Sequence, residues 1–287
     1  MFNFPKFLYH LTPAVPVETI EFKHKRDNVE LKAVIWKPKG PGPFTLIPFD
    51  VGLQFRIWEI PLAAKIMARS GYAVMGTEYK RVEIAKGEVN DFINAIDHCY
   101  NNFSFLNKET ILVGVSMGGA TMLNIASKVG AKYDIKAVIA MGPFADLARA
   151  YYYTNGYLGA HNRIDERARL LSLYQKYAFT NPVEDPKEFF IRSPLNFVKN
   201  IKCPVYLVHG KKDEIVSVDH SIQLYHKMKE LNKEVYLTIF PGEGIHTPLK
   251  FKSMMRRFNF IGFARTWNHV HKLLNNLRKK KVNHEKN

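Results

Sequence analysis

Short runs of apolar, β-branched and aromatic residues alternate with longer stretches of helical periodicity along the chain. The runs that predict strands span residues 19–24, 31–37, 44–49, 72–77, 110–114, 135–141, 205–209 and 234–240. Several of them are apolar without interruption, which is typical of strands that are buried on both faces. The helical period predicts helices at residues 55–70, 85–101, 117–129, 219–231 and 254–278. This alternation indicates an α/β fold whose mostly parallel sheet is covered by helices on both faces.

Residues 146–200 interrupt this rhythm, because no strand is predicted there and the segment is helical, polar and rich in tyrosine. A long insertion at the edge of a sheet often forms a lid or a wall of a binding cleft, and a surface helical pair is the alternative interpretation. We interpret residues 1–287 as one domain, in which residues 146–200 form a helical cap and residues 279–287 form a basic tail.

Length and composition limit the class of protein. With 287 residues, 46% of them hydrophobic, the chain can bury one large core or two small ones, which excludes a peptide hormone and a disordered tail. Its two cysteines, Cys99 and Cys203, provide neither a disulfide framework nor the spacing of a structural zinc site, and no metal or other cofactor is expected. Residues 1–13 lack the features of a signal peptide, and no apolar run is long enough to span a membrane. We therefore expect a soluble, cytoplasmic protein.

Positive charge is concentrated near the end of the chain. The net charge is +16, and residues 248–287 hold 11 lysines and arginines against one acid, or about +10 of that total. A solvated helix face is favoured over contact with an anionic membrane or substrate, and nucleic acid is set aside because no recognition motif accompanies the charge. The apolar stripe in the same segment, which includes Trp267 and Leu274, is interpreted as core rather than as a membrane contact.

The strongest local signal is the sequence Gly114-Val115-Ser116-Met117-Gly118. It matches the G-x-S-x-G pattern and lies between a predicted strand and a predicted helix. In that context the serine occupies a strained turn, and the glycines allow neighbouring elements to approach closely. The hydroxyl would then lie above the sheet, at the positive end of the helix dipole. A plain glycine-rich turn is the alternative.

A serine nucleophile needs a base within hydrogen-bond reach and an acid that orients the base. Functional groups of an open α/β sheet lie beyond the carboxyl ends of its strands, and two candidates follow such strands. Asp213 follows the strand at residues 205–209, and His246 follows the strand at residues 234–240. The order Ser116, Asp213, His246 is the hydrolase order rather than that of chymotrypsin or subtilisin.

Rival groups are weighed by their positions in the chain. Glu214 adjoins Asp213 and could take its place. A histidine at a strand end or on a helix is more often a packed or surface group than a base. The histidines interpreted in that way are His209, His220, His226, His269 and His271.

These residues carry a resemblance to a known family. The chain resembles the α/β-hydrolases, and its C-terminal half resembles the catalytic domain of the prolyl oligopeptidase group through residues 193–198, 203–210 and 241–246. It is also similar to carboxylesterases and dienelactone-hydrolase-like enzymes. The resemblance implies a mostly parallel eight-stranded sheet, with Ser116 as nucleophile, Asp213 as acid and His246 as base. The spacing typical of the family selects Asp213 over Glu214.

The predicted oxyanion site departs from the usual pattern of the family. It needs two N–H groups, which we assign to Met117, the residue after the nucleophile, and to Gly52, in the loop after the third strand. Relatives commonly have histidine where this chain has Asp50. Because a carboxylate facing a developing oxyanion would oppose catalysis, we expect Asp50 to point away and to tie down its own loop. The loop also lacks the tyrosine that prolyl oligopeptidases use as an oxyanion donor, which weakens a peptidase interpretation.

These observations predict a serine hydrolase that cleaves carboxylic esters, or short acylated substrates, through an acyl-enzyme. The chain has no room for the N-terminal propeller of oligopeptidases, and the tyrosine-rich insertion suits an apolar or aromatic group. Candidate substrate contacts are Tyr152, Tyr153 and Leu53. Aminopeptidase or acylpeptidase activity is the alternative, as is an acyl-CoA thioesterase whose basic face binds the phosphates. A non-catalytic binding scaffold is the alternative from a different class.

Overall fold

One mixed sheet runs through the described part of the molecule. The computed structural model describes residues 16–52, 61–80, 83–130, 132–160, 171–172, 174, 176, 178–213, 215–241 and 260–284. The strands found there are β1 (Val17–Arg26), β2 (Val29–Pro38), β3 (Phe44–Asp50), β4 (Tyr72–Thr77), β5 (Leu106–Val115), β6 (Asp134–Met141), β7 (Val205–Gly210) and β8 (Val235–Phe240). All the predicted strands are therefore confirmed, although several ends move by a few residues.

Helices occupy most of the intervals between the strands. The helices with defined bounds are α1 (Pro61–Arg69), α2 (Gly87–Asn102), α3 (Met117–Val129), α4 (Leu147–Ala160), α5 (Pro186–Arg192), α6 (Asp219–Glu230) and α7 (Phe260–His284). Residues 171, 172, 174, 176 and 178 are helical as well. The last helix continues to His284, so most of the segment predicted as a basic tail, residues 279–287, is helical instead. Within the described ranges, no helix combines the length and the hydropathy needed to cross a bilayer.

The order of the strands in the sheet is β1-β2-β4-β3-β5-β6-β7-β8. β1 pairs with β2, and β2 with β4, in antiparallel fashion, whereas the strands from β4 to β8 are parallel to their neighbours. Parallel neighbours end at the same edge of the sheet, so the segments that follow β3, β4, β5 and β7 all begin at one edge. The strand number and the mostly parallel pairing are those that the resemblance implies.

Apolar side chains fill both faces of the sheet. On β5, Leu112 belongs to the core beneath α2 and α3, whereas Ile111 and Val113 belong to the core on the opposite face. Successive side chains of a strand point to opposite faces, so an uninterrupted apolar strand needs helices on both. α7 provides part of this second cover through Trp267 and Leu274, which are buried. The predicted apolar stripe is therefore core.

The segment at residues 146–200 carries α4, α5 and two short 3₁₀ turns, and its described residues include no strand. A third apolar cluster joins this segment to the rest of the molecule, and it includes Leu147 and Phe189 of the segment together with Met117 and Val216. The end of the segment packs elsewhere, because Val198 belongs to the core beneath α2 and α3. The helices of the segment thus pack over the residue that follows Ser116, while its last residues belong to the body of the domain.

The turn from β5 to α3 is packed too closely for side chains at its glycines. A Cβ on Gly114 would lie 2.2 Å from the carbonyl oxygen of Gly118, and a Cβ on Gly118 would lie 2.3 Å from the carbonyl oxygen of Asp50. Both contacts are to backbone atoms, which cannot move aside as the end of a flexible side chain can. The close approach predicted from the G-x-S-x-G pattern is therefore present in the structure.

We expect Gly118→Ala to lower the free energy of unfolding by about 1–3 kcal/mol, because the new Cβ would overlap the end of β3. Gly156 in α4 is the matched control, since a Cβ added there would meet no neighbouring atom within 4 Å. Alanine at that helical position should be neutral or stabilising by about 0.5–1 kcal/mol. Chemical denaturation of both variants measures the difference, and equal effects would contradict the tight packing of the turn.

His220 is a buried histidine in the first turn of α6. Its side chain is 1% exposed, and its Nδ1 accepts a hydrogen bond from the backbone N–H of Ala145 at 3.3 Å. Burial, assisted by the positive charge of Arg149, lowers the pKa of His220 to about 3. The ring is therefore neutral in the folded protein near neutral pH, and it joins α6 to the segment that follows β6.

Stability should fall as the pH decreases below about 6.5, because the unfolded chain then binds a proton at His220 that the folded chain excludes. The loss should approach about 1.4 kcal/mol per pH unit in the window between the two pKa values. His220→Asn retains an acceptor oxygen for the Ala145 amide and does not titrate, so its stability should depend less steeply on pH. Urea denaturation between about pH 7 and about pH 4.5 compares the two slopes, and identical slopes would contradict a neutral buried ring.

Candidate active site

Ser116 occupies the turn between β5 and α3 in a backbone conformation that is rare for a residue with a side chain. Its φ is 59° and its ψ is −125°, a combination that costs about 1–3 kcal/mol and persists only where the surroundings hold it. Its N–H donates to the carbonyl of Met141 at 2.8 Å, and its own carbonyl accepts from the N–H of Gly119 at 3.0 Å. The side chain is partly exposed, although the residues on either side of it are buried.

The hydroxyl of Ser116 is not used to cap the helix that follows. Ser116 is the N-cap residue of α3, a position at which serine commonly accepts a hydrogen bond from the first turn, yet its side chain makes no capping bond to the described helix. The N–H groups of Met117 and Gly118, the first two residues of α3, lack intrahelical acceptors and carry the positive end of the helix dipole. This turn therefore presents a partly exposed hydroxyl beside amide donors that the helix itself does not use.

Asp213 lies just beyond the carboxyl end of β7 and is 5% exposed. Its Oδ1 accepts hydrogen bonds from the backbone N–H groups of Ile215 at 3.2 Å and Val216 at 3.0 Å. These bonds fix the orientation of the carboxylate. Asp213 and Ser116 follow β7 and β5, which are separated only by β6, so both groups lie at the same edge of the sheet.

His209 is engaged through both ring nitrogens. Its Nδ1 lies 2.7 Å from the hydroxyl of Ser221, and its Nε2 lies 2.9 Å from the carbonyl oxygen of Val216. Because a carbonyl can only accept, Nε2 carries the proton and donates to Val216, while Nδ1 accepts from Ser221. The Nε2 atom is also 3.8 Å from Oδ2 of Asp213. His209 therefore orders the segment between Asp213 and α6, in agreement with its interpretation as structural.

The histidines of the helices also have structural surroundings. His220 is buried against the Ala145 amide, and His226 is exposed. His269 lies 3.1 Å from the hydroxyl of Thr238, and His271 lies 3.0 Å from the hydroxyl of Ser70. None of these contacts joins a histidine to Asp213 or Ser116. The predicted base, His246, lies outside the described residues, as do Leu53 and Glu214, so their roles stay predictions.

Met117 and Gly52, the predicted oxyanion donors, both border Ser116. Met117 is the first residue of α3, and its buried side chain packs in the apolar cluster shared with the insertion. Gly52 has a φ of 82°, and a Cβ at this position would lie 3.0 Å from the carbonyl oxygen of Val115 and 3.4 Å from Cβ of Ser116. The loop after β3 is therefore pressed against the nucleophile turn.

The carboxylate of Asp50 ties down this loop, as the sequence predicts. Its Oδ1 accepts a hydrogen bond from the N–H of Gly52 at 2.9 Å, so the amide that we assign to the oxyanion site is already donating to Asp50 in this structure. The same oxygen accepts a short hydrogen bond from the hydroxyl of Tyr79. Burial raises the pKa of Asp50, against the lowering effect of the bonds from Tyr79 and Gly52.

Tyr79 belongs to the surroundings of the site although no sequence motif marks it. Tyr79 follows the carboxyl end of β4, which is the neighbour of β3, and burial together with the Asp50 carboxylate raises its pKa well above 10. Its hydroxyl is therefore a protonated donor. The signal that could have identified it is its position two residues beyond a parallel strand, at the edge where functional groups gather.

The tyrosines of the insertion divide between the surface and the interior. Tyr152, a predicted substrate contact, is 51% exposed, and Tyr153 is partly buried. Tyr151, which is not among the predicted substrate contacts, packs edge-on against Tyr174 and Phe189 and borders the cluster that contains Met117. Tyr151 is therefore the member of this run that the packing connects to the nucleophile turn, and substrate contact by Tyr152 or Tyr153 stays a prediction.

Comparison with known proteins gives a family and a relative of similar length. The family model described as the prolyl oligopeptidase family matches residues 66–276. A Bacillus subtilis protein described as the uncharacterized peptidase YtmA is 29% identical over 232 residues, which amount to 78% of this chain and 84% of that protein. The matched range contains the whole β5–α3 turn as well as β7 and Asp213.

Two solved structures have the same fold at low sequence identity. The acylaminoacyl peptidase of Pyrococcus horikoshii matches with a TM-score of 0.69 and 20% identity, covering 93% of this chain and 42% of that one. The esterase Pf2001 of Pyrococcus furiosus matches with a TM-score of 0.66 and 18% identity, covering 96% of this chain and 95% of that one. The chain thus spans about two fifths of the peptidase and nearly all of the esterase. Because the family model covers most of the sequence, and the fold agrees with it, the chain belongs to the prolyl oligopeptidase family and is a serine hydrolase of the α/β-hydrolase type.

Proposed function

We propose that this hydrolase cleaves carboxylic esters by acyl transfer, with Ser116 as nucleophile, His246 as general base and Asp213 as the acid that orients the histidine. One observation carries the proposal: a serine in a strained strand-to-helix turn and a buried, hydrogen-bonded carboxylate lie at the same edge of the sheet, one strand apart. A base is the third group that such a site needs, and His246, which follows β8 in the sequence, is the residue that we propose for it.

The reaction proceeds in two balanced halves. Ser116 Oγ attacks the ester carbonyl while its proton passes to His246, and the tetrahedral intermediate then releases the alcohol, which takes that proton. Water attacks the resulting acyl-enzyme, gives its proton to His246, and the carboxylic acid leaves as Ser116 recovers its proton. Asp213 stays ionised throughout and stabilises the imidazolium that forms in each half.

The first turn of α3 provides the electrostatic part of catalysis. The negative charge that develops on the carbonyl oxygen falls beside the Met117 N–H, which has no intrahelical acceptor and carries the positive end of the helix dipole. A single donor of this kind is commonly worth about 10²–10³ in kcat. The loop after β3 borders Ser116 through Gly52 and forms a second wall of the proposed oxyanion site.

The choice between esters and peptides rests on fewer observations. Esters are favoured because the loop Asp50–Gly52 carries no tyrosine to serve as an oxyanion donor, and because a length-matched structural neighbour is described as an esterase. Aminopeptidase or acylpeptidase activity is the second candidate, since the relative YtmA is described as a peptidase and the structural neighbour from Pyrococcus horikoshii as an acylaminoacyl peptidase. Ester and amide hydrolysis would use the same catalytic groups.

We expect Ser116→Ala to abolish hydrolysis of a p-nitrophenyl ester series from acetate to palmitate, with a loss of about 10⁴-fold or more in kcat. Ser127→Ala is the matched control, because Ser127 lies on the same helix and its hydroxyl donates to the Asn124 carbonyl of that helix. A fluorophosphonate probe should label the wild type and Ser127→Ala but not Ser116→Ala. Labelling or ester hydrolysis that survives Ser116→Ala would contradict the proposal.

The same assay separates the substrate classes and tests the base. His246→Ala should lose activity to a similar degree, because the serine then has no proton acceptor. We expect kcat/KM for the best p-nitrophenyl ester to exceed that for aminoacyl and acylaminoacyl p-nitroanilides and for the matching acyl-CoA. A higher value for an anilide would make the protein a peptidase, and a higher value for acyl-CoA would make it a thioesterase.

A further inference from the structure

A buried carboxylate beside the nucleophile turn has no role in the triad. Asp50 ends β3, pairs in register with Gly114 of β5, and is 1% exposed. A Cβ on Gly118 would lie 2.8 Å from the carboxyl carbon of Asp50, so the acid group packs directly against the first turn of α3. Burying such a group is costly unless hydrogen bonds compensate for the lost water. We therefore expect the carboxylate of Asp50 to do something at this position that an apolar side chain could not do.

Two donors from different segments converge on one oxygen of this carboxylate. The Gly52 N–H comes from the loop that follows Asp50 itself, and the Tyr79 hydroxyl comes from the segment after β4. Tyr79 is itself held, because its ring packs in the apolar cores on the α2 side and beneath the insertion, and it lies 6.3 Å from the ring of Phe92. The carboxylate thus connects a rigid side chain to a loop that contains glycine.

The loop so held is the one that borders Ser116. Gly52 has the positive φ that glycine adopts most easily, and it approaches the Val115 carbonyl and the Ser116 Cβ more closely than most residues could. The backbone of a glycine can adopt several conformations, and the hydrogen bond from the Gly52 N–H to Asp50 selects one of them. Small displacements here move one wall of the oxyanion site.

We propose that Asp50 and Tyr79 are positioning residues for the oxyanion site: the Tyr79 hydroxyl orients the Asp50 carboxylate, and the carboxylate holds the loop Asp50–Gly52 at the correct distance from Ser116. The inference rests on the acyl-transfer function proposed above. Asp50 occupies the position at which relatives commonly have histidine, and its role is to fix geometry rather than to transfer a proton. Neither residue touches the reacting atoms, and both act through Gly52.

The chain contains a second tyrosine–aspartate bond that serves as a control. The Tyr133 hydroxyl donates to Oδ1 of Asp97 at 2.6 Å, and Tyr133 lies just before β6, at the end of the sheet opposite to Ser116. Loss of either bond should cost stability, since each removes a hydrogen bond from one buried partner, Asp50 in the first pair and Tyr133 in the second. The cost should be smaller in the second pair, because the side chain of Asp97 is 32% exposed. Only the loss of the Asp50–Tyr79 bond should alter the chemistry at Ser116.

The experiment compares kcat and KM for a p-nitrophenyl ester in Asp50→Ala, Asp50→Asn and Tyr79→Phe with those in Asp97→Ala and Tyr133→Phe. We expect kcat to fall about 10–100-fold in Asp50→Ala with KM within about threefold, because a displaced loop weakens transition-state rather than ground-state contacts. Asp50→Asn keeps an acceptor oxygen for both donors and should recover kcat to within about fivefold of wild type. The two control variants should leave kcat unchanged.

Titration with a fluorophosphonate counts the folded active sites, so that kcat refers to competent enzyme only. A kcat that is unchanged or raised in Asp50→Ala would overturn the inference, and a rise would mean that the carboxylate competes with the oxyanion for the Gly52 amide. If Asp50→Ala does not fold, Tyr79→Phe decides, and an unaltered kcat in that variant overturns the inference. Failure of the proposed function is distinguishable from failure of this inference. In that case the wild type would not hydrolyse the ester, or Ser116→Ala would hydrolyse it as well as the wild type does.

Discussion

The left-handed backbone of Ser116 is the constraint on which the rest of the site depends. It turns the chain from β5 into α3 within one residue, so that a partly exposed serine stands between the end of the strand and the start of the helix. Because this conformation is strained, the surrounding elements must hold it. Met141 of β6 accepts the Ser116 N–H, and the end of β3 packs against Gly118 so closely that no side chain fits there. The two neighbouring strands therefore maintain the turn from both sides.

Buried polar groups at this edge fix the positions of the segments around them. Both nitrogens of His209 are bonded, to Ser221 and Val216, and Val216 in turn donates its N–H to Asp213. His220 is neutral and joins α6 to the segment after β6. A buried hydrogen bond that is left unmade is expensive, so each of these groups restricts the chain to one arrangement. The carboxylate of Asp213 is thereby held in place before any substrate binds.

The basic end of the chain follows from the same packing. α7 directs Trp267, Val270 and Leu274 into the core on one face of the sheet. Three of its charged residues, Arg265, Lys272 and Lys279, are exposed on the other side of the helix. Arg278 instead follows Leu274 by one turn, and its guanidinium donates a hydrogen bond to the carbonyl of Ser70 at 2.8 Å. The exposed positive charges of the described part of α7 thus belong to the outer face of an amphipathic helix whose inner face covers the sheet.

The sequence by itself determined the alternation of strands and helices, the nucleophile turn and the apolar stripe of α7. Each of these depends on a local pattern: the period of the side chains, the glycines on either side of Ser116, or the spacing of Trp267 and Leu274. The positions of Asp213 and Ser116 at one edge also followed, because parallel strands share their carboxyl ends.

Only the tertiary structure decided which groups meet at that edge. Asp50 and Tyr79 are separated by 29 positions, and His220 and Ala145 by 75, so no local pattern relates them. Asp50 and Tyr79 meet because β4 lies beside β3 in the sheet, and His220 meets Ala145 because α6 lies beside the segment that follows β6. The order of the strands is set by packing across the whole core rather than by any one segment. For the same reason Tyr151 rather than Tyr152 reaches the cluster around Met117: the choice among adjacent tyrosines depends on which face of α4 is covered.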